Sequence, residues 1–213
     1  DGGAIYLNNL NTWNSDPDNL FFDRNIAGRN GGGIFIDNAY GTDFDDLTFV
    51  GNEAVDGAAI YANDILMDWD NTIADGNIAS TGHIIQVLTA TTDFRAIDGM
   101  VLTNNTATDF AFNMAAVGRM DTVDLVLANP AVPNGARFSG PNDVYNVLAY
   151  DGVFGSYVQF LGTDAVSLTN ATLADSTSGV GVDVGLSGAG SAVFTNVSST
   201  GNAVGVNTTG IVP

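Results

Sequence analysis

The chain has no cysteine, no lysine, one histidine (His83) and one glutamate (Glu53) among its 213 residues. Each absence removes a class of chemistry. Without cysteine there is no disulfide framework, no thiolate metal site and no thiol nucleophile. One histidine permits at most a single Ser-His-acid triad and cannot close a usual zinc site. Basic residues number 5, all arginine, against 24 acidic residues, for a net charge of −19. A surface this acidic repels nucleic acid and anionic membranes and attracts hard cations such as Ca²⁺. No run of about 18 apolar residues is present to cross a membrane as a helix, so direct membrane insertion is not expected. The chain begins at Asp1 without a basic n-region or apolar h-region, as expected of a mature, processed or trimmed product. Long helices draw on Ala, Leu, Glu, Lys and Arg, of which glutamate and lysine are nearly or wholly missing.

What is present points to β-structure. The hydrophobic content of 45% is enough for a core, and 26 glycines join abundant Asp, Asn and Thr as turn formers. The stretch Gly31-Gly32-Gly33-Ile34-Phe35-Ile36 has relatives at Gly2-Gly3-Ala4-Ile5, Gly57-Ala58-Ala59-Ile60 and Gly82-His83-Ile84-Ile85. Weaker copies anchor on Phe110, Ala136, Tyr157, Val180 and Val204, giving steps of 21 to 29 residues. Asparagine precedes these strands at Asn25, Asn52, Asn77, Asn105 and Asn202. A third column holds Asp16-Pro17-Asp18, Asp43-Phe44-Asp45 and Asp68-Trp69-Asp70, 27 and then 25 residues apart. Asp98, Asp121, Asp124, Asp143 and Asp164 continue it loosely.

Three elements recurring in one order at one period specify a repeat fold. Each period of about 25 residues holds two or three short strands, too few for a propeller blade and with no room for a helix. The expected architecture is all-β, a β-solenoid of about eight to nine coils forming one domain over residues 1–213 and a rod of roughly 40 Å. Repeat positions Gly3, Ile5, Asn25, Gly33, Ile34, Asn52, Ile60 and Asn77 are expected to stack, with apolar side chains inward. The asparagines are expected to adopt left-handed backbone at turns and to hydrogen-bond from coil to coil. Residues 129–143, with three of the five prolines, read as a loop leaving the coil. Strand motifs at both ends lead us to expect part of a longer protein or a unit that stacks on copies of itself.

At these residues the chain resembles the polymorphic outer membrane protein repeats, with their paired GGA(I/L) and FxxN motifs. Gly2-Gly3-Ala4-Ile5 matches the first, Phe22-x-x-Asn25 and Phe49-x-x-Asn52 match the second, and the likeness is sharp over residues 1–80. The resemblance implies a right-handed parallel β-helix on an extracellular or cell-surface protein, of the kind found in adhesins and autotransporter passengers. The same fold class includes polysaccharide lyases and hydrolases.

Several constellations are candidates for chemistry. Asn14-x-Asp16-x-Asp18 is similar to the first half of a calcium loop, and Asp43, Asp45, Asp68 and Asp70 would stack on it as an acidic, Ca²⁺-attracting ridge. Trp13 and Trp69 flank this column and are candidates for a sugar-binding surface or for anchors packed on the solenoid side. Asp45-Asp46 resembles the adjacent aspartates of β-helix polysaccharide hydrolases, but the companion Gly-His-Gly and Arg-x-Lys motifs are absent. Arg95 and Arg119, 24 residues apart, would stack near Asp98 and Asp121, either as a lyase-like set or simply as ion pairs. His83 reads as a rim or turn residue. Sequons at Asn104, Asn170, Asn196 and Asn207 permit glycosylation without indicating it.

These readings lead to an expected function as an extracellular structural or adhesive solenoid, surface or fibre-forming, acting through end-to-end stacking and its acidic face. Expected partners are further copies, other surface proteins or glycans. Two alternatives stay open. A polysaccharide-active enzyme would show a groove with a carboxylate pair or an Arg–Ca²⁺ set, and a carbohydrate- or ice-binding module would show a flat ladder of exposed threonines or tryptophans.

Overall fold

A computed structural model of the chain describes residues 1–10, 18–41, 43–66, 68–89, 95–116, 118, 120–128, 131–152, 155–176, 179–188 and 190–208. The strands, in chain order, are β1 (Ile5–Leu10), β2 (Phe21–Asp23), β3 (Ile34–Tyr40), β4 (Phe44–Asp45), β5 (Thr48–Val50), β6 (Glu53–Ala54), β7 (Ile60–Leu66), β8 (Trp69–Asp75), β9 (Ile78–Ala79), β10 (Ile85–Thr89), β11 (Arg95–Thr103), β12 (Phe110–Ala116), β13 (Met120–Ala128), β14 (Asn134–Ser139), β15 (Asn142–Ala149), β16 (Ser156–Gly162), β17 (Ala165–Ala174), β18 (Val180–Leu186), β19 (Ser191–Thr200) and β20 (Val204–Thr208).

These strands alternate between two parallel sheets. The first runs β1-β3-β7-β10-β12-β14-β16-β18-β20, and the second runs β2-β5-β8-β11-β13-β15-β17-β19 with β4 also pairing β8. A narrow third side is made by β6 and β9 and by single bridges such as Ile78 to Thr106 and Thr106 to Ala131. The chain is therefore a parallel β-solenoid. From β3 to β20 it makes seven complete circuits, slightly fewer than the eight to nine coils expected.

Register follows the repeat. Ile34 pairs Ile60, Ile60 pairs Ile85, and the column continues through Phe112, Ala136, Val158 and Val182, all buried. Because neighbouring residues on a strand point to opposite faces, one apolar position per coil builds a continuous core along the axis.

The GGA and FxxN motifs are linked physically. A Cβ on Gly33 would lie 2.5 Å from the Phe49 ring, so the glycine leaves room for the motif phenylalanine of a neighbouring coil. Phe49 in turn stacks on Phe22 with ring centroids 4.7 Å apart. Gly31 serves differently, turning the chain with φ +70°.

The asparagine ladder forms as expected, with one correction. Asn25 Nδ2 donates to Asn52 Oδ1 at 2.8 Å, Asn52 Nδ2 to Asn77 Oδ1 at 2.9 Å, and Asn77 Nδ2 to Asn105 Oδ1 at 3.1 Å. The same oxygens accept from backbone N–H groups of the preceding coil at 2.8–2.9 Å. The left-handed residue at this turn is the one before the ladder asparagine: Arg24, Gly51, Gly76 and Asn104. The ladder side chain can then point inward while its neighbour makes the corner.

A second left-handed column bends the strands of the second sheet, at Asn19, Asp46, Asn71, Gly99, Asp124, Asn146, Asn170 and Asn196. The proline-rich stretch is also corrected. Residues 129–130 lie outside the described residues, but β14 and β15 occupy Asn134–Ser139 and Asn142–Ala149 within the sheets. Pro133 and Pro141 sit just before those strands, where a missing N–H costs no ladder bond.

Candidate functional site

An acidic column and a mixed cluster stand out among the titratable groups. The first is the acidic ridge on the second sheet. Asp18 bridges Asp45, Asp45 pairs Asp70, and Asp70 pairs Asp98. Asp43 and Asp68 lie two residues earlier, linked where the Asp68 N–H donates to Asp43 Oδ1 at 3.3 Å. The expected stacking of Asp18, Asp43, Asp45, Asp68 and Asp70 is thus present, and Asp98 extends it. Partial burial, then the charges of Asp45, Asp98, Asp68 and Asp43, push the Asp70 carboxyl above its ordinary value. Past Asp98 the column turns neutral at Val123 and Tyr145, while Asp121 pairs Asp143 two residues earlier along the strands. Among the described residues, no three His, Asp or Glu side chains converge to hold a metal ion.

Beside the ridge, the strand bend makes an open groove of about 500 Å³ lined by Asn19, Asp46, Asn71, Asp124, Ile73 and Val101 among others. Its two carboxylates stand three rungs apart, about 14 Å at normal strand spacing. That is wider than the separations of about 5–9.5 Å used by glycoside hydrolases. Sequon residues Asn170 and Asn196 continue the same bend, Asn196 Nδ2 donating to Asn170 Oδ1 at 3.1 Å.

The second is a cluster beside the first sheet: Asp56, His83 and Asp109 lie just before β7, β10 and β12, while Arg137 lies within β14 in register with Asn113. Asp56 Oδ1 accepts from the His83 backbone N–H at 2.8 Å and from Gly57 N–H at 2.9 Å, and lies 2.9 Å from His83 Nδ1. His83 Nε2 is 3.2 Å from Asp109 Oδ2 and 3.3 Å from Arg137 Nη2. The Arg137 guanidinium lies over the Phe110 ring at 4.6 Å, and its Nε donates to Asn113 Oδ1 at 2.6 Å. Asn113 Nδ2 then donates to Gln86 Oε1 at 2.9 Å. Burial of Asp56 opposes its ionisation, but the bonds from His83 and Gly57 outweigh it and hold the carboxyl below its ordinary value.

No family model, characterised protein or solved structure matches the chain.

The remaining sequence candidates separate clearly. Trp13, Asp16 and Arg119 lie outside the described residues. Trp69 is corrected: at 1% exposure it faces inward opposite Ile97, as an anchor in the core rather than a ligand surface. The alternation along the strand demands this, since Asp68 and Asp70 point outward on either side of it. His83 is not a plain rim residue but the centre of a cluster that the sequence reading missed. Its signal was available in the period, because Asp56, His83, Asp109 and Arg137 follow one another at 26 to 28 residues with alternating sign.

Proposed function

We propose that the chain is a structural segment of an extracellular or cell-surface protein, a rigid rod that assembles end to end and presents regular side-chain columns to its surroundings. The observation behind this reading is the regularity of the stack. Core positions from Ile34 through Ile60, Ile85, Phe112, Ala136 and Val158 to Val182 meet in register on successive coils, and the ladder asparagines from Asn25 to Asn105 bond from coil to coil. A stack of this kind extends by adding a further coil in the same register. In this reading the stacking continues between copies, and Ca²⁺ or other hard cations gather along the acidic column and screen it. The likeness of the GGA and FxxN motifs to surface-protein repeats supports the location.

Light scattering coupled to size exclusion, with negative-stain microscopy, tests the assembly. The expected result is rods in multiples of roughly 40 Å whose length grows with protein concentration and shortens when EDTA removes divalent cations. Discrete single-length monomers at every concentration would overturn end-to-end stacking, and rods indifferent to EDTA would remove the cation from the account.

A further inference from the structure

We propose that His83 and Arg137 form a proton-operated clasp on the outer face of the first sheet: neutral His83 holds Arg137 over the Gln86–Asn113 pair, and protonated His83 turns to Asp109 and releases it. The inference rests on incompatible demands at one atom. Nδ1 lies 2.9 Å from Asp56 Oδ1, an ionised acceptor, so Nδ1 carries a proton in both states. Nε2 faces Asp109 Oδ2 at 3.2 Å, which needs a donor, and Arg137 Nη2 at 3.3 Å, which needs an acceptor. An arginine cannot give up its proton at ordinary pH, so the protonation of Nε2 alone decides which partner is served.

The charged and titratable groups around the ring are few. On the preceding coil Asp56 faces it, with Tyr61 beside Asp56. The Tyr61 phenol is pushed up by burial and then by the charges of Asp56 and Asp37. On the following coil is Asp109, and one coil further is Arg137, whose Nη1 lies 3.8 Å from Asp109 Oδ2. The cluster therefore spans four successive coils, with one net negative charge when His83 is neutral and none when it is protonated.

What the proton changes is the cover. Gln86 and Asn113 occupy outward-facing positions between inward Ile85 and Val87, or Phe112 and Met114, yet each is only 4% exposed. Arg137, reaching back across Phe110 and Asn113, contributes that cover. A proton on Nε2 places a like charge against the guanidinium and fills the lone pair it used. Arg137 then loses its acceptor on His83 and is left with Asn113 Oδ1, the Phe110 ring and the longer contact to Asp109, so the cover loosens and the carboxamide pair opens to water or to an external polar ligand. Acid thus exposes a hydrogen-bonding patch that neutral pH covers.

The test is an NMR titration of the whole chain from about pH 5 to about pH 8, the window in which an imidazole ordinarily changes charge. The His83 ring protons, the Asn113 and Gln86 carboxamides and the Arg137 Nε–H are followed together. The expected result is one shared midpoint, with loss of exchange protection at Arg137 Nε–H on the acid side. In Arg137→Gln, removal of the competing cation should move the His83 midpoint upward. In His83→Gln, the Asn113 and Arg137 signals should stay constant across the window. Carboxamide and Arg137 signals that stay flat while wild-type His83 titrates would overturn the clasp. So would an unchanged or lowered His83 midpoint in Arg137→Gln, a measurement that does not depend on the His83 variant folding.

Discussion

On the second sheet Asp18, Asp45, Asp70 and Asp98 take the same place on successive coils, whereas beside the first sheet Asp56, His83, Asp109 and Arg137 come from successive coils but from different register positions and meet only through their side chains. The sequence spacing is similar and the physics is opposite. In-register stacking brings every residue to its own counterpart at the strand repeat, about 4.8 Å away. Like charges then add to partial burial in opposing ionisation, as at Asp70, and stay near the solvent where water and salt screen them. Offset polar groups can bond one another instead: burial opposes ionisation of Asp56, but the bonds from His83 and Gly57 outweigh it, so the cluster can be drawn partly under cover. A repeat fold therefore multiplies the cost of a column as readily as its benefit.

The largest expected effect sets a baseline with no charge in it. Asn77 is fully buried, and its Oδ1 accepts from both the backbone and the side chain of Asn52. Asn77→Ala leaves those donors unpaired and should destabilise the chain by about 3 kcal/mol, read from denaturant midpoints and independent of salt. His83→Leu comes next, at about 2 kcal/mol near neutral pH, because Asp56 and Asp109 then face an apolar side chain. Its sign with pH follows from Asp56. A carboxyl held below its ordinary value contributes stability above that value and loses it as pH falls through the lowered one. The gap between His83→Leu and wild type should accordingly close in strong acid, which stability curves at several pH values will read.

Asp70→Asn should be the smallest change and of opposite sign. Its carboxyl is raised in the fold, so its unfavourable ionisation is absent below the ordinary value and felt as pH rises through the raised one. Removing the charge should stabilise by less than about 0.5 kcal/mol at neutral pH, since the site is exposed. The part of the gain that comes from the neighbouring carboxylates should fall away in about 1 M salt, where the screening length is about 3 Å, leaving the part due to burial. A destabilising Asp70→Asn would break the contrast between the ridge and the cluster.

The sequence carried the fold well where one residue type repeats at one place. Ile34, Ile60 and the GGA glycines mark the core column, Asn25, Asn52 and Asn77 mark the ladder, and Asp45 and Asp70 mark the ridge. It carried less where the residues differ in type and in register. Asp56, His83, Asp109 and Arg137 occupy different register positions, so only their spacing of 26 to 28 residues connects them. Trp69 was ambiguous beside two aspartates until strand alternation placed it inside. The proline-rich stretch misled because Pro133 and Pro141 precede strands rather than interrupt them.

The register of the coils underlies every one of these columns, and spin labels along one of them test it most directly. Thr48, Leu148, Thr172 and Ser198 share a column of the second sheet, running through Ile73, Val101 and Val126. The chain has no native cysteine to interfere with labelling. Pairing Thr48→Cys in turn with Leu148→Cys, Thr172→Cys and Ser198→Cys should give backbone separations of about 19, 24 and 29 Å, rising by one strand spacing per coil. Distances that fail to rise in that order, or that shrink between distant pairs, would contradict the stacked-coil account.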